Sequence, residues 1–226
     1  MLVKTILERT DDGSHTLFVP ELNEHYHSVN GAVQESRHVY IEAGLRACDK
    51  PVLRILEVGF GTGLNALLSY LEALDSRKNI YYSSIELFPI SLQLVNSLNY
   101  PSLFSSDQKN VFKDLHLCAW NQQVDVSDFF HLKKIQANVL EHDLSGEELF
   151  DAVFYDAFAP GKQPEMWEQP IFAKLFDVLS PGGVFVTYCA KGVVRRMLQN
   201  SGFVVERLAG PPGKREMLRA RKPAEQ

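Results

Sequence analysis

Residues Leu53–Asn65, LRILEVGFGTGLN, constrain this 226-residue chain more than any other stretch. A short apolar run (Leu53, Ile55, Leu56, Val58) breaks into Gly59, Gly61 and Gly63, and Leu67, Leu68, Leu71 and Leu74 then recur at helical spacing. The pattern predicts a buried strand, a glycine turn and a helix N-terminus. Glycines at such a turn take positive φ and let a ligand approach the backbone closely. Open amides and the positive end of the helix dipole face whatever sits above. This is the nucleotide-binding corner of an open α/β sheet.

The rest of the chain fits that frame. Ile80–Ile85 reads as a second strand ending in Glu86, and Phe88–Leu98 as a helix with Pro89 in its first turn. The middle reads as a small β insertion at about residues 111–134, followed by a strand Ile135–Leu140. Phe150–Asp156 is a buried strand, and a largely helical stretch from Met166 follows. Ser180–Gly183 predicts a turn into the strand Val184–Cys189, then a helix Lys191–Ser201. Phe203–Leu208 and Glu216–Ala220 are the last two strands. Strands separated by helices imply a mainly parallel sheet with right-handed crossovers. The final pair, joined by a short loop, implies one antiparallel strand at the end of the chain. Residues 1–48 form an extension, with a hairpin of Val3–Arg9 and His15–Val19 and a helix Gln34–Glu42, that caps the sheet edge or closes over the ligand. Residues 49–226 make one globular unit.

Composition narrows the class. Three widely spaced cysteines without a CxxC pair fit reduced cytosolic thiols and give no metal site. No window approaches the ~18 unbroken apolar residues of a membrane span, and acidic residues interrupt the first fifteen positions before a signal-peptide core can form. A cytoplasmic protein without a membrane partner is expected. The formal net charge is −5, yet from Lys191 onward nine basic residues face three acidic ones. A basic end on an acidic protein permits phosphate contacts; a solvated surface explains it equally well.

The spacing Gly59-x-Gly61-x-Gly63 places the third glycine one residue early for a dinucleotide fingerprint. Glu57, just before the turn, would repel a pyrophosphate and suits the ammonium of a methionine moiety. Glu86 lies where a carboxylate accepts both ribose hydroxyls, and Asp143 could hold an adenine amine or simply cap a helix. Together these favour S-adenosylmethionine over NAD. A second chemical stretch, Asp156-Ala157-Phe158-Ala159-Pro160, follows a strand that ends at the same edge. The Asp156 carboxylate can aim the lone pair of an amine, and the Phe158 ring can stack on a base or stabilise a developing cation. Methyl transfer from a sulfonium needs alignment and desolvation more than a metal.

Glu57–Asn65, Asp156–Trp167 (DAFAPGKQPEMW), Lys214–Leu218 (KREML) and the upstream Tyr26–Ser28 and Gln34–Ile41 runs together resemble the MnmC/MnmD-type tRNA methyltransferases. The resemblance implies a Rossmann-like class I fold: a mostly parallel seven-stranded sheet with an antiparallel terminal strand. It implies methylation of 5-aminomethyl-2-thiouridine at the tRNA wobble position, giving 5-methylaminomethyl-2-thiouridine. Because the chain ends at Gln226, it is similar to the stand-alone form and is expected to bind no FAD. A functional link to the enzymes that make the aminomethyl group is expected. By resemblance the cofactor site takes Glu57, Gly59, Phe60, Gly61, Gly63, Asn65, Glu86 and Asp143, closed by Tyr26, Ser36 and Arg37 from the arm. Asp156 and Phe158 meet the amine, and Lys162, Trp167, Lys191, Lys214 and Arg215 meet the base or the anticodon-arm phosphates. A spermidine-synthase-like aminopropyltransferase and a small-molecule amine N-methyltransferase are the alternatives.

Overall fold

The computed structural model describes residues 4–104 and 108–224. The arm forms a three-stranded antiparallel sheet of β1 (Ile6–Arg9), β2 (His15–Val19) and β3 (Glu24–His25), with Ile6 opposite Phe18 and Arg9 opposite His15. Val3, the expected start of that hairpin, lies outside the described residues. A short helix α1 (Ala32–Ser36) widens into a π-helical turn, Arg37–Glu42, which buries Val39, Tyr40 and Ile41.

The main body runs β4 (Val52–Val58), α2 (Leu64–Ser76), β5 (Asn79–Glu86), α3 (Leu92–Ser97), α4 (Gln108–Leu117), β6 (Gln123–Ser127), β7 (Phe130–Gln136), β8 (Phe150–Tyr155), α5 (Gln169–Asp177), β9 (Leu179–Thr187), α6 (Gly192–Asn200), β10 (Val204–Ala209) and β11 (Glu216–Arg221). Its sheet has eight strands rather than seven, in the order β10-β11-β9-β8-β4-β5-β7-β6. Strands β7, β5, β4, β8 and β9 run parallel. Strand β11 is antiparallel and inserts between β9 and β10, and β6 is a second antiparallel strand at the far edge.

Strand alternation splits the core in two. Leu53 and Ile55 join α2 and the π-turn on one face, whereas Leu56 and Val58 join α5 and α6 on the other. Because β4, β5, β7, β8 and β9 point the same way, their carboxyl ends meet at one edge. Gly59, Glu86, Ala137, Asp156 and Tyr188 stand there side by side.

Four boundaries differ from the sequence expectation. Val111–Leu117, expected in a β insertion, belongs to helix α4, because Phe112 and Leu115 recur three apart and bury one helical face. The strand expected at Ile135–Leu140 is β7, Phe130–Gln136, whose buried Phe130, Leu132 and Lys134 alternate with partly exposed residues. The second helix begins at Leu92 rather than Phe88, since Ser91 caps it by accepting the Leu94 amide at 3.4 Å. The predicted turn Ser180–Gly183 is absorbed into β9, where the register against β8 shifts between Phe150 and Ala152.

Candidate functional site

A cavity of about 820 Å³ opens above these strand ends, near the upper end of the size range of small-molecule sites. The glycine turn forms its floor. Gly59 has φ +95°, and a Cβ there would sit 2.9 Å from the Asp156 carbonyl oxygen. Gly61 has φ +49°, and a Cβ there would press on the Tyr26 ring at 3.1 Å. Only glycine allows both the conformation and the contact.

Glu86 ends β5 with its side chain on the cavity wall. One carboxylate oxygen accepts the Gly61 amide at 3.0 Å and the other the Phe88 amide at 2.7 Å. Two backbone donors fix the group and leave lone pairs for a diol. Asp156, one residue past β8, is the other held carboxylate. It accepts the Tyr40 hydroxyl at 2.6 Å on one oxygen and Asn65 Nδ2 at 2.8 Å on the other. Burial pushes it up to about 7, against the lowering effect of those two hydrogen bonds; Glu35 raises it further and Lys214 lowers it.

The loop beyond Asp156 is pinned. Trp167 Nε1 donates to the Phe158 carbonyl at 2.7 Å, and the Tyr188 hydroxyl donates to the Ala157 carbonyl at 2.8 Å. The Tyr26 ring meets Phe158 edge-on at 5.1 Å, so the arm touches both the glycine turn and the second chemical stretch. A clasp closes the side. Lys214 pairs with Glu35 at 2.5 Å and lies 3.9 Å over the Tyr188 ring, and Glu35 also accepts the Ser28 amide at 2.8 Å.

Of the residues singled out in the sequence, Tyr26, Gly59, Phe60, Gly61, Asn65, Glu86, Asp156, Phe158, Lys162 and Lys214 line this cavity. The others do not. Glu57 is fully buried, because strand alternation turns it onto the α2 face, where its cross-strand neighbour Ser84 donates to it at 2.6 Å. Gly63 faces helix α4: a Cβ there would stand 2.6 Å from His116 Nε2. Ser36 is buried beneath α1 and Arg37 is exposed, since one helical turn brings only Glu35 to the cavity. Asp143 is exposed beyond the wall and accepts the Ser145 amide and hydroxyl at 2.8 and 3.0 Å, a turn-forming pattern. Trp167 supports the loop from inside the core. Lys191 and Arg215 are exposed and outside the cavity, while Lys214 spends its charge on Glu35.

Sequence reasoning missed Asn138, Tyr40 and Thr62. Asn138 reaches the wall where Asp143 was expected, because β7 ends four residues earlier than predicted. Tyr40 sits mid-helix and looks like any core aromatic. Thr62 is braced by two histidines from distant segments: His27 Nε2 lies 2.6 Å from its hydroxyl, and His116 Nε2 lies 3.1 Å from its carbonyl. Burial lowers both histidines to about 4, so each is neutral and His116 donates to the carbonyl through Nε2–H. Among the described residues no cluster of His, Cys, Asp and Glu could hold a metal ion, and no helix is long and apolar enough to cross a membrane.

Known proteins share this architecture. The solved structure of MnmC2 from Aquifex aeolicus superposes with a TM-score of 0.78 at 26% identity, over 98% of this chain and 71% of that one. The tRNA 5-methylaminomethyl-2-thiouridine biosynthesis bifunctional protein MnmC of Leptospira borgpetersenii is 30% identical over 210 residues, 85% of this chain and 31% of that protein. The protein of the same name from Actinobacillus pleuropneumoniae is 28% identical over 236 residues, 94% of this chain and 34% of its own length. The chain therefore spans about a third of the length of these curated relatives. A family described as S-adenosyl-L-methionine-dependent methyltransferase matches residues 106–223, more than half the chain. The glycine-floored cavity between two held carboxylates and that family match lead to one conclusion: the chain belongs to the S-adenosyl-L-methionine-dependent methyltransferases.

Proposed function

We propose that this methyltransferase acts on the primary amine of 5-aminomethyl-2-thiouridine at the tRNA wobble position, giving the 5-methylaminomethyl base. The observation that carries this reading is Asp156: a half-buried carboxylate in the same cavity as Glu86, held by two donors and flanked by Phe158. The names of the relatives from Leptospira and Actinobacillus support the choice of substrate.

The cavity suits S-adenosylmethionine. Its floor has backbone where a Cβ would clash, and its Glu86 carboxylate is pre-oriented for a ribose diol. In this reading Glu86, Gly59–Thr62, Asn65 and Asn138 hold the donor, which supplies an electrophilic methyl on a sulfonium. Asp156 accepts the proton that the substrate ammonium must lose, and then a hydrogen bond from the free amine, aiming its lone pair. Phe158 and Tyr26 wall the site against water, and the arm, residues 1–48, is the cap that brings Tyr26 there. Glu21 and Glu24 add negative potential at the wall, which favours a cationic amine. Lys162, Lys191, Arg196 and Arg215 meet RNA phosphates, the last three exposed and without an ion-pair partner among the described residues.

The reading is tested with labelled S-adenosylmethionine and tRNA from cells lacking the modification. Label should enter the wobble nucleoside; label in free small amines, or propylamine transfer to putrescine from the decarboxylated donor, would sink it. Two further outcomes follow. Glu86→Ala removes a bidentate, charge-assisted acceptor worth roughly 2–3 kcal/mol, so donor affinity should fall about 30- to 150-fold by calorimetry, beyond the small loss of melting temperature expected from the freed Gly61 and Phe88 amides. Replacing Lys191, Arg196 and Arg215 together by alanine should flatten the log–log salt dependence of tRNA binding by about two and spare donor affinity. An unaltered slope would make these three residues mere solvated surface.

A further inference from the structure

Polar atoms without partners gather beneath the glycine turn, on the face of the sheet that carries Asp156. Glu57 on β4, Tyr82 and Ser84 on β5, and Asn65 and Ser69 on α2 are all closed to solvent. Four of their atoms, Glu57 Oε1, Asn65 Oδ1, Ser69 Oγ and Tyr82 Oη, have no hydrogen-bond partner. The Tyr82 hydroxyl and the Asn65 amide border the Glu57 carboxyl, and Ser69 borders Tyr82. The charged neighbour of Glu57 is Asp156, a like charge.

Glu57 is sealed from solvent while Asp156 opens in part onto the cavity, and two carboxyls bordered by one amide in this way do not ionise equally. The donors decide which of them keeps a proton. Asp156 receives Tyr40 on one oxygen and Asn65 on the other, an arrangement that favours charge. Glu57 receives Ser84 on Oε2, Oε1 has no partner in hydrogen-bond geometry, and the lowering effect of the adjacent Asn65 and Tyr82 side chains is outweighed by burial. We propose that Glu57 is a neutral carboxylic acid with its proton on Oε1, a positioning residue that steadies Asn65 against an ionised Asp156. The proton turns an orphaned acceptor into a donor beside the Tyr82 and Asn65 side chains, whose own oxygens lack partners, and leaves Asp156 as the only charge of the pair. Burial pushes the Glu57 carboxyl up to about 8, in the same direction. The other groups that face Asp156 are Glu35 and Lys214 from the clasp, and the Tyr40, Tyr82, Tyr100 and Tyr188 hydroxyls. This inference rests on Asp156 as the group that meets the amine, and it removes Glu57 from the role of ammonium partner that its place in the motif suggested.

The test uses the purified full chain without RNA, so it can fail or succeed independently of the tRNA assignment. Infrared difference spectra near pH 7.5, between the values of about 7 for Asp156 and about 8 for Glu57, should show a buried carboxylic-acid C=O band that largely disappears in Glu57→Gln and survives in Asp156→Asn. A parent without the band, or loss of the band in Asp156→Asn alone, would overturn the proposal. Melting curves give a second check. A carboxyl whose folded value is raised contributes stability that is fully present below its unfolded value and lost as pH rises through the folded one. The parent should therefore lose melting temperature relative to Glu57→Gln between about pH 5 and pH 8, and parallel pH profiles would contradict it. Donor affinity is the third. Glu57→Gln should change the S-adenosylmethionine dissociation constant by less than about threefold, and a tenfold or greater weakening would restore Glu57 as an ionised ammonium partner.

Discussion

Asp156→Asn should lower the rate of methyl transfer by about 10²- to 10⁴-fold, the usual scale for removing a positioned proton acceptor, while donor affinity changes only a few-fold. The side chain keeps its size but can no longer take the proton from an ammonium. The substituted amide also sets an N–H group against the Asn65 amide or the Tyr40 hydroxyl, both of which now donate to this position. Single-turnover rates and calorimetry separate the two effects. Loss of donor binding with an intact rate at saturation would assign Asp156 to the cofactor instead. The pH profile sharpens the expectation. Burial pushes Asp156 up to about 7, so activity should fall as pH drops through that value, because the protonated acid accepts nothing. Tyr40→Phe removes a hydrogen bond that favours the charged form, and the acid limb should move to higher pH. A limb that stays in place would mean that another group titrates there.

Gly63→Ala should cost about 3 kcal/mol or more and abolish tight donor binding. Two terms add. A non-glycine residue in the left-handed region costs roughly 1–2 kcal/mol, and Gly63 has φ +74°. The new Cβ would stand 2.6 Å from His116 Nε2, so His116 must leave the Thr62 carbonyl and strand a buried acceptor, at about 1–3 kcal/mol. For a domain of this size that is a melting-temperature drop of roughly 6–12 °C. Gly182→Ala is the internal control. It has a similar φ, +77°, but open space where a Cβ would go, so it should show the backbone term alone. Equal losses at the two positions would mean that the histidine brace contributes nothing. The brace in turn depends on Lys134, which is buried, donates to the His116 carbonyl at 2.6 Å and lies 4.6 Å over the Trp120 ring. The mid-chain helix α4 is thus fastened on one side to the sheet and on the other to the turn that floors the cavity.

Much of this was legible in the order of residues. The glycine turn, the strand before it, Glu86 and Asp156 at strand ends, and the antiparallel final strand all depend on local patterning, which a chain carries in its own periodicity. Lys214 and Trp167 show the limit. Both stand in motifs and both are near the site, yet one is neutralised by Glu35, 179 positions away, and the other donates its indole N–H inward to a backbone carbonyl. Nothing local distinguishes a lysine that meets phosphate from one that closes a clasp.

What the sequence determined by itself is therefore the class of fold, the edge of the sheet where the cavity opens, and two carboxylates that line it. What only the tertiary structure decided is the state of those groups. Strand alternation buried Glu57 on the face shared with Asp156, and the π-turn brought Tyr40 to one oxygen of Asp156 while α2 brought Asn65 to the other. Charge in a protein interior depends on burial and on donors supplied from distant segments. Those contacts come into being only when the chain folds.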